Sequence, residues 1–193
     1  RPRRVHEAKN LVCPAGLEDA FLAIKEKISL GVDLRPHLSR SLANLDFDDM
    51  LLNDWAVYHL HISTNIEDDG FVSRTGPVIF ARFEREDAYL IAIHQHGKGA
   101  PNAWTNQSML KTMRDNWPSV VAPYVMRNVL GLDSPLSDDG VRQFRKIGVQ
   151  TVSEIDGVVL APMGGGYSTA GLATDVVRQS NRYMTQVRDW EER

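Results

Sequence analysis

A single cysteine, Cys13, stands among 193 residues, and one thiol excludes an intramolecular disulfide framework. With no His or Cys at zinc-finger spacing beside it, Cys13 is expected to be a buried or bystander thiol rather than a nucleophile. Long apolar runs are also missing. None approaches the roughly 18 to 20 residues that span a bilayer, so no membrane partner is expected. The run Arg1-Pro2-Arg3-Arg4 is followed by no apolar signal region, which leads to the expectation of a cytoplasmic protein. Basic charge is scarce too. The 22 Lys and Arg against 25 Asp and Glu leave a formal charge of −3, and a surface that grips nucleic acid throughout would need clustered cations to displace counterions. There is no internal repeat and no low-complexity tract. What remains, 42% hydrophobic and 24% charged, suits one globular domain over 1–193 with a sizeable core.

Histidine is rare but concentrated. Four of the six lie in two His-x-His pairs, His59-Leu60-His61 and His94-Gln95-His96, each inside an alternating apolar stretch that predicts a β-strand. On a strand such a pair projects two imidazoles from one face, about 7 Å apart at the backbone. Around the first pair, no basic residue occurs between Arg40 and Arg74, while Asp46, Asp48, Asp49, Asp54, Glu67, Asp68 and Asp69 all do. That acidic neighbourhood is expected to raise histidine pKa values or to help hold a cation.

The predicted organisation is α+β: a small antiparallel β-meander packed between helices, with a C-terminal hairpin and long helix. A basic leader covers 1–15. Helices follow over 16–54: one from 16 to 30 with Leu17, Phe21, Ile24 and Ile28 at helical spacing and Gly31 as C-cap, a shorter piece over 38–45, and a capped turn or short helix over 46–54. The meander occupies 55–98, with strands over 55–63, 77–84 and 88–96; the charged turn Glu84-Arg85-Glu86-Asp87 joins the last two. Antiparallel pairing brings both histidine pairs to one edge, and a single residue of register decides whether they share a face. Helices are predicted across 105–147: one from an N-cap at Thr105 through Arg114, one over 119–130 and one over 137–146. The stretch 150–193 holds a hairpin turning at Asp156-Gly157 and a long helix from Leu172. On that helix Ala173, Val176, Ser180, Tyr183, Val187 and Trp190 form a three-four stripe. Packing on the domain is the commoner use of such a stripe, and pairing with a second copy as a homodimer is the other.

Three chemistries fit the histidines. A divalent transition metal could take His59, His61, His94 and His96 with a carboxylate such as Asp54. Metal-free acid–base catalysis could cleave RNA through its 2′-hydroxyl with the help of Arg74, Arg82 or Lys98. Strand histidines packing against Trp55, Tyr58 and Tyr89 would need no chemistry. After the third strand, Asn102 and Trp104 sit where a substrate base could be bound or stacked, or where an indole could anchor the loop. The run Gly164-Gly165-Gly166-Tyr167-Ser168-Thr169-Ala170-Gly171 precedes the last helix but lacks the Lys-Ser/Thr ending of a Walker A loop. A connector with Ser168 or Thr169 as helix cap is the expectation there.

The segments His59-Leu60-His61-Ile62-Ser63, Arg74-Thr75-Gly76-Pro77-Val78-Ile79-Phe80-Ala81-Arg82-Phe83 and Tyr89-Leu90-Ile91-Ala92-Ile93-His94-Gln95-His96-Gly97-Lys98 resemble the strand meander of RelE- and HigB-like ribonuclease toxins. The resemblance covers roughly forty residues and rests on strand order and residue character; one lysine, Lys98, stands where the family shows a pair. It implies an endoribonuclease of toxin or defence type that binds RNA and an antitoxin-like protein, with Arg74 or Arg82, His94, His96 and Lys98 at the cutting face. A binding module without catalysis, engaging a protein partner through the sheet or the last helix, is the alternative.

Overall fold

The computed structural model describes residues 1–44, 47–168 and 171–191. Along the chain run β1 (Arg4–Glu7), α1 (Glu18–Leu30), α2 (Met50–Trp55), β2 (Tyr58–His61), β3 (Pro77–Phe83), β4 (Asp87–Gln95), α3 (Ser108–Asn116), α4 (Pro118–Val121), α5 (Asp138–Lys146), β5 (Ser153–Ile155), β6 (Val158–Leu160) and α6 (Thr174–Glu191). The fold is α+β. No described helix is long and apolar enough to cross a membrane. The chain divides into two compact units, Arg1–Phe47 with Val57–Pro123 and Asp48–Ala56 with Tyr124–Arg193.

The first unit is built on a four-stranded sheet of order β1-β4-β3-β2. The β2–β3 and β3–β4 pairs are antiparallel, as the meander predicts. The leader supplies the fourth strand: β1 pairs parallel with β4, Val5 beside Ala88 and His6 beside Tyr89. Four residues with one strong apolar side chain carry no period-two signal, so this edge strand cannot be read from sequence. Arg4 and His6 both bind the Asp87 carboxylate, at 2.9 and 2.7 Å, and fasten the edge. Helix α1 covers one face, where Phe21, Ile24 and Ile28 pack with Leu60, Ile62, Ile79 and Leu90. Burying each such side chain contributes about 1.5–3 kcal/mol before entropy. The helix stops where expected, at Gly31, whose φ of 72° is the left-handed conformation glycine adopts without strain. Two 3₁₀ turns, Arg35–His37 and Arg40–Ala43, replace the predicted helix over 38–45; Leu45 and Asp46 lie outside the described residues.

In the second unit Ser137 caps α5 by accepting from the Gly140 N–H at 3.2 Å, and β5–β6 form the predicted hairpin. The helix expected over 119–130 is instead the four-residue α4 followed by a 3₁₀ turn at Ala122–Tyr124, because Pro123 lacks the N–H a continuing helix needs. Beyond it the chain is extended: Val125 bridges to Leu160, with Met126 N donating to Val159 O at 2.9 Å. The Gly-rich run is not a helix cap. Gly164 N donates to Asp54 O at 2.9 Å and Gly166 N to Asn53 O at 2.8 Å, so the glycines clamp the last turn of α2, and a Cβ at Gly164 would overlap the Leu52 and Asn53 carbonyls. Helix α6 starts six residues after Ser168; Thr169 lies outside the described residues. None of the residues of α6 is buried, which overturns the expectation that its stripe packs on the domain.

Candidate functional site

Strand alternation assembles the site. Leu60 in β2 and Ile62 just after it belong to the core under α1, so His59 and His61 project from the opposite face. Residues paired across strands share a face. His61 is opposite Val78 and Val78 opposite His94, while His59 is opposite Phe80. His96, two residues beyond His94, continues the row, and its ring lies 5.0 Å from that of His61. The two His-x-His pairs therefore share one face. Trp104, in the loop after β4, packs over them, 4.6 Å from His59, 5.5 Å from His96 and 5.7 Å from Phe80. The rings meet edge to face, His59 to His61 at 80° and His61 to His96 at 63°.

His61 is 3% exposed and His59 9%. Burial first, then the charges of Arg74, His59, His96 and Arg40, push the His61 pKa down to about 3, so the ring is neutral at any ordinary pH. This reverses the effect expected from the acidic neighbourhood. Arg40, from just before that segment, ion-pairs with both Glu67 and Asp69. Asp48, Asp49 and Asp54 belong to the second unit, where Asp49 caps α2 by accepting from Leu52 N at 3.1 Å. Burial alone lowers His94. Two ring nitrogens on this face, His61 Nδ1 and His94 Nε2, are buried without a hydrogen-bond partner, an arrangement that costs about 1–3 kcal/mol per group.

His96 is placed differently. Its Nδ1 lies against the carbonyl of Gly76. Since a carbonyl only accepts, Nδ1 carries the proton, and in the neutral ring Nε2 keeps the lone pair. Gly76 precedes β3 with φ at 93°, a conformation that favours glycine. Arg74 is exposed two residues earlier, and Lys98 is exposed in the loop two residues after His96. Both cations therefore lie at the strand ends that carry the histidines, as predicted.

Arg82 does not join them. It is buried, ion-paired with Glu84 at 3.3 Å and opposite Tyr89, four residues along β3 from Val78 and so about 13 Å away by strand rise. Asn102 is half-buried in the loop turn, its carbonyl accepting from Thr105 N at 3.0 Å and its Oδ1 buried without a partner. Asp54 is buried in the second unit, where Arg145 Nε and Nη2 both donate to its Oδ2, at 3.0 and 2.7 Å. That carboxylate is committed to an ion pair. Among the described residues, no group of three or more His, Cys, Asp or Glu is arranged to hold a metal ion.

The sequence gives no sign of His37. It is 1% exposed; its Nδ1 donates to His61 O at 2.9 Å and its Nε2 accepts from Lys27 Nζ at 2.9 Å. With Nδ1 against a carbonyl and Nε2 against an ammonium, the ring can only be neutral, in agreement with a pKa lowered by burial. The lone histidine of Arg35-Pro36-His37 holds the end of β2 through the His61 carbonyl. The sixth histidine, His6, stacks on Tyr89 at 5.0 Å near the far end of β4. No protein family, no curated protein and no solved structure matches this chain.

Proposed function

We propose that the histidine face is a metal-free acid–base phosphodiesterase site that cleaves RNA, in a ribonuclease of toxin or defence type. The observation that carries the reading is His96: an imidazole with its tautomer set by a carbonyl, its Nε2 lone pair free for a proton, and Arg74 and Lys98 at the same strand ends. His96 Nε2 takes the 2′-hydroxyl proton as that oxygen attacks phosphorus, giving a 2′,3′-cyclic phosphate. Arg74 holds the non-bridging oxygens, and the Lys98 ammonium gives a proton to the departing 5′-oxygen. The sequence suggested a first-strand histidine as the acid; at a pKa of about 3 His61 has no proton to give at neutral pH, and His59 is buried under Trp104, so this reading gives the role to the exposed Lys98. The resemblance of the meander to RelE- and HigB-like toxins supports the same substrate class.

One observation favours a second reading. His59 and His61 are 9% and 3% exposed, as packed histidines are, which suits a binding module that engages a protein partner, antitoxin-like or self. Incubation with a labelled single-stranded RNA, with and without EDTA, separates the readings. The expected result is cleavage to cyclic-phosphate ends, insensitive to EDTA and about 10²–10⁴-fold slower in His96→Ala. No cleavage by the wild type, or unchanged cleavage by His96→Ala, leaves the binding module. Loss of activity in EDTA together with bound metal in the untreated protein would move His59, His61, His94 and His96 to ligand roles.

A further inference from the structure

The 18 residues of α6 present an apolar face that nothing in the described chain covers. Val176, Tyr183, Met184, Val187 and Trp190 are 59, 57, 67, 46 and 73% exposed, and together they offer on the order of 600 Å² of side-chain surface, as large as the biggest patch a monomer usually leaves open. Their spacing is a heptad seam, with Ser180 and Val187 at a and Val176, Tyr183 and Trp190 at d; Ala173, one heptad before Ser180, precedes the helix and bridges to Tyr167.

We propose that α6 pairs antiparallel with α6 of a second copy of this chain. The case rests on fit. In antiparallel pairing each a residue meets a d residue, so Tyr183 of one copy faces Ser180 of the other and Val176 faces Val187, while Trp190 lies level with the residue that precedes the partner helix. Tyr183 then meets a small side chain and Val176 a matching one, and the two-fold axis repeats each layer. Parallel pairing would set Trp190 on Trp190, Tyr183 on Tyr183 and Ser180 on Ser180, crowding some layers and emptying others. The seam flanks carry no charge over the central turns: Gln179 and Gln186 lie at g, Val177 and Met184 at e. Arg178 pairs with Asp175 of its own helix at 3.7 Å, and Arg182, Arg188 and Asp189 sit at outer positions. Burying the stripe from two copies removes about 1,200 Å² from water, the lower bound for a specific interface. Opposed helix dipoles favour the same orientation.

The proposal is independent of the histidine site and is tested on the full chain. Sedimentation equilibrium from 1 to 100 µM is expected to give twice the chain mass for the wild type and for Arg178→Glu, and the single-chain mass for Tyr183→Glu, with unchanged far-ultraviolet circular dichroism. In a Cys13→Ser background, Val176→Cys/Val187→Cys is expected to form a disulfide-linked dimer on mild oxidation, and neither single substitution is. A wild type that stays monomeric across the range, association that survives Tyr183→Glu, or covalent dimers from a single cysteine variant would each overturn it. The last would show parallel pairing, and the first would leave the stripe to a different protein.

Discussion

His61 and His96 face one another across 5.0 Å and are chemically unlike, because their backbone settings differ. His96 sits at a strand end and spends Nδ1 on a loop carbonyl; His61 is enclosed within the sheet beside two arginines. His37 is bonded to the His61 carbonyl, and its replacement gives a residue-level prediction. His37→Phe keeps an aromatic ring but removes the donor to His61 O and the acceptor for Lys27 Nζ. Leaving a buried carbonyl without its donor costs about 1–3 kcal/mol, to be read as a lower urea midpoint with an unchanged slope. An unchanged midpoint would mean that the ring contributes only packing.

At the scale of elements, α2 is held by two devices that neither its length nor its pattern discloses. The glycines at 164 and 166 donate to the carbonyls of its last turn, and Asp54, inside it, binds Arg145 of α5, whose guanidinium lies 4.5 Å over the Trp55 ring. Six residues are too few for a helix to persist alone, so these contacts decide that it exists. Burial raises the Asp54 pKa, and Arg145 opposes that shift. Arg145→Met therefore strands a buried carboxylate, at a cost of about 3–5 kcal/mol, whereas Asp54→Leu/Arg145→Met recovers most of the loss because no charge stays buried. Thermal unfolding of the two variants is expected to rank the double above the single. The reverse order would show that the pair contributes more than the cost of desolvating it.

The stability of the whole molecule inherits the sum of its buried histidines. His37, His61 and His94 all have lowered pKa values, each with burial as the largest cause. Below 6.5 the unfolded chain binds protons at these sites that the folded chain refuses, and for His61 that window runs down to about 3. Stability thus rises with pH across that window, is complete above it, and is lost as pH falls. Asp33, Asp69, Asp87 and Asp139 are lowered from 3.8 and add their loss only below that value. Between pH 7 and 4.5 the histidines dominate, and Tm is expected to fall steadily in the wild type and less in His61→Phe. Parallel curves for the two proteins would remove His61 from the account.

Local signals made much of this protein legible. The apolar spacing from Leu17 to Ile28 and the glycine after it specify α1, alternation and the Glu84–Asp87 turn specify the β3–β4 hairpin, and Ser137 specifies the start of α5, because each depends on residues a few positions apart. Two His-x-His pairs on strands were enough to place the candidate site and its neighbours Arg74, Lys98 and Trp104. The common face of the pairs, the separation of Arg82 from them, the engagement of Asp54 by Arg145 and the burial that neutralises His61 depended on residues distant in the chain. Strand register, desolvation and the choice of ion-pair partner are properties of packing, and no local pattern records them. The same holds for β1, too short to announce itself, and for α6, whose stripe was plain in the sequence while its exposure was decided by tertiary structure alone.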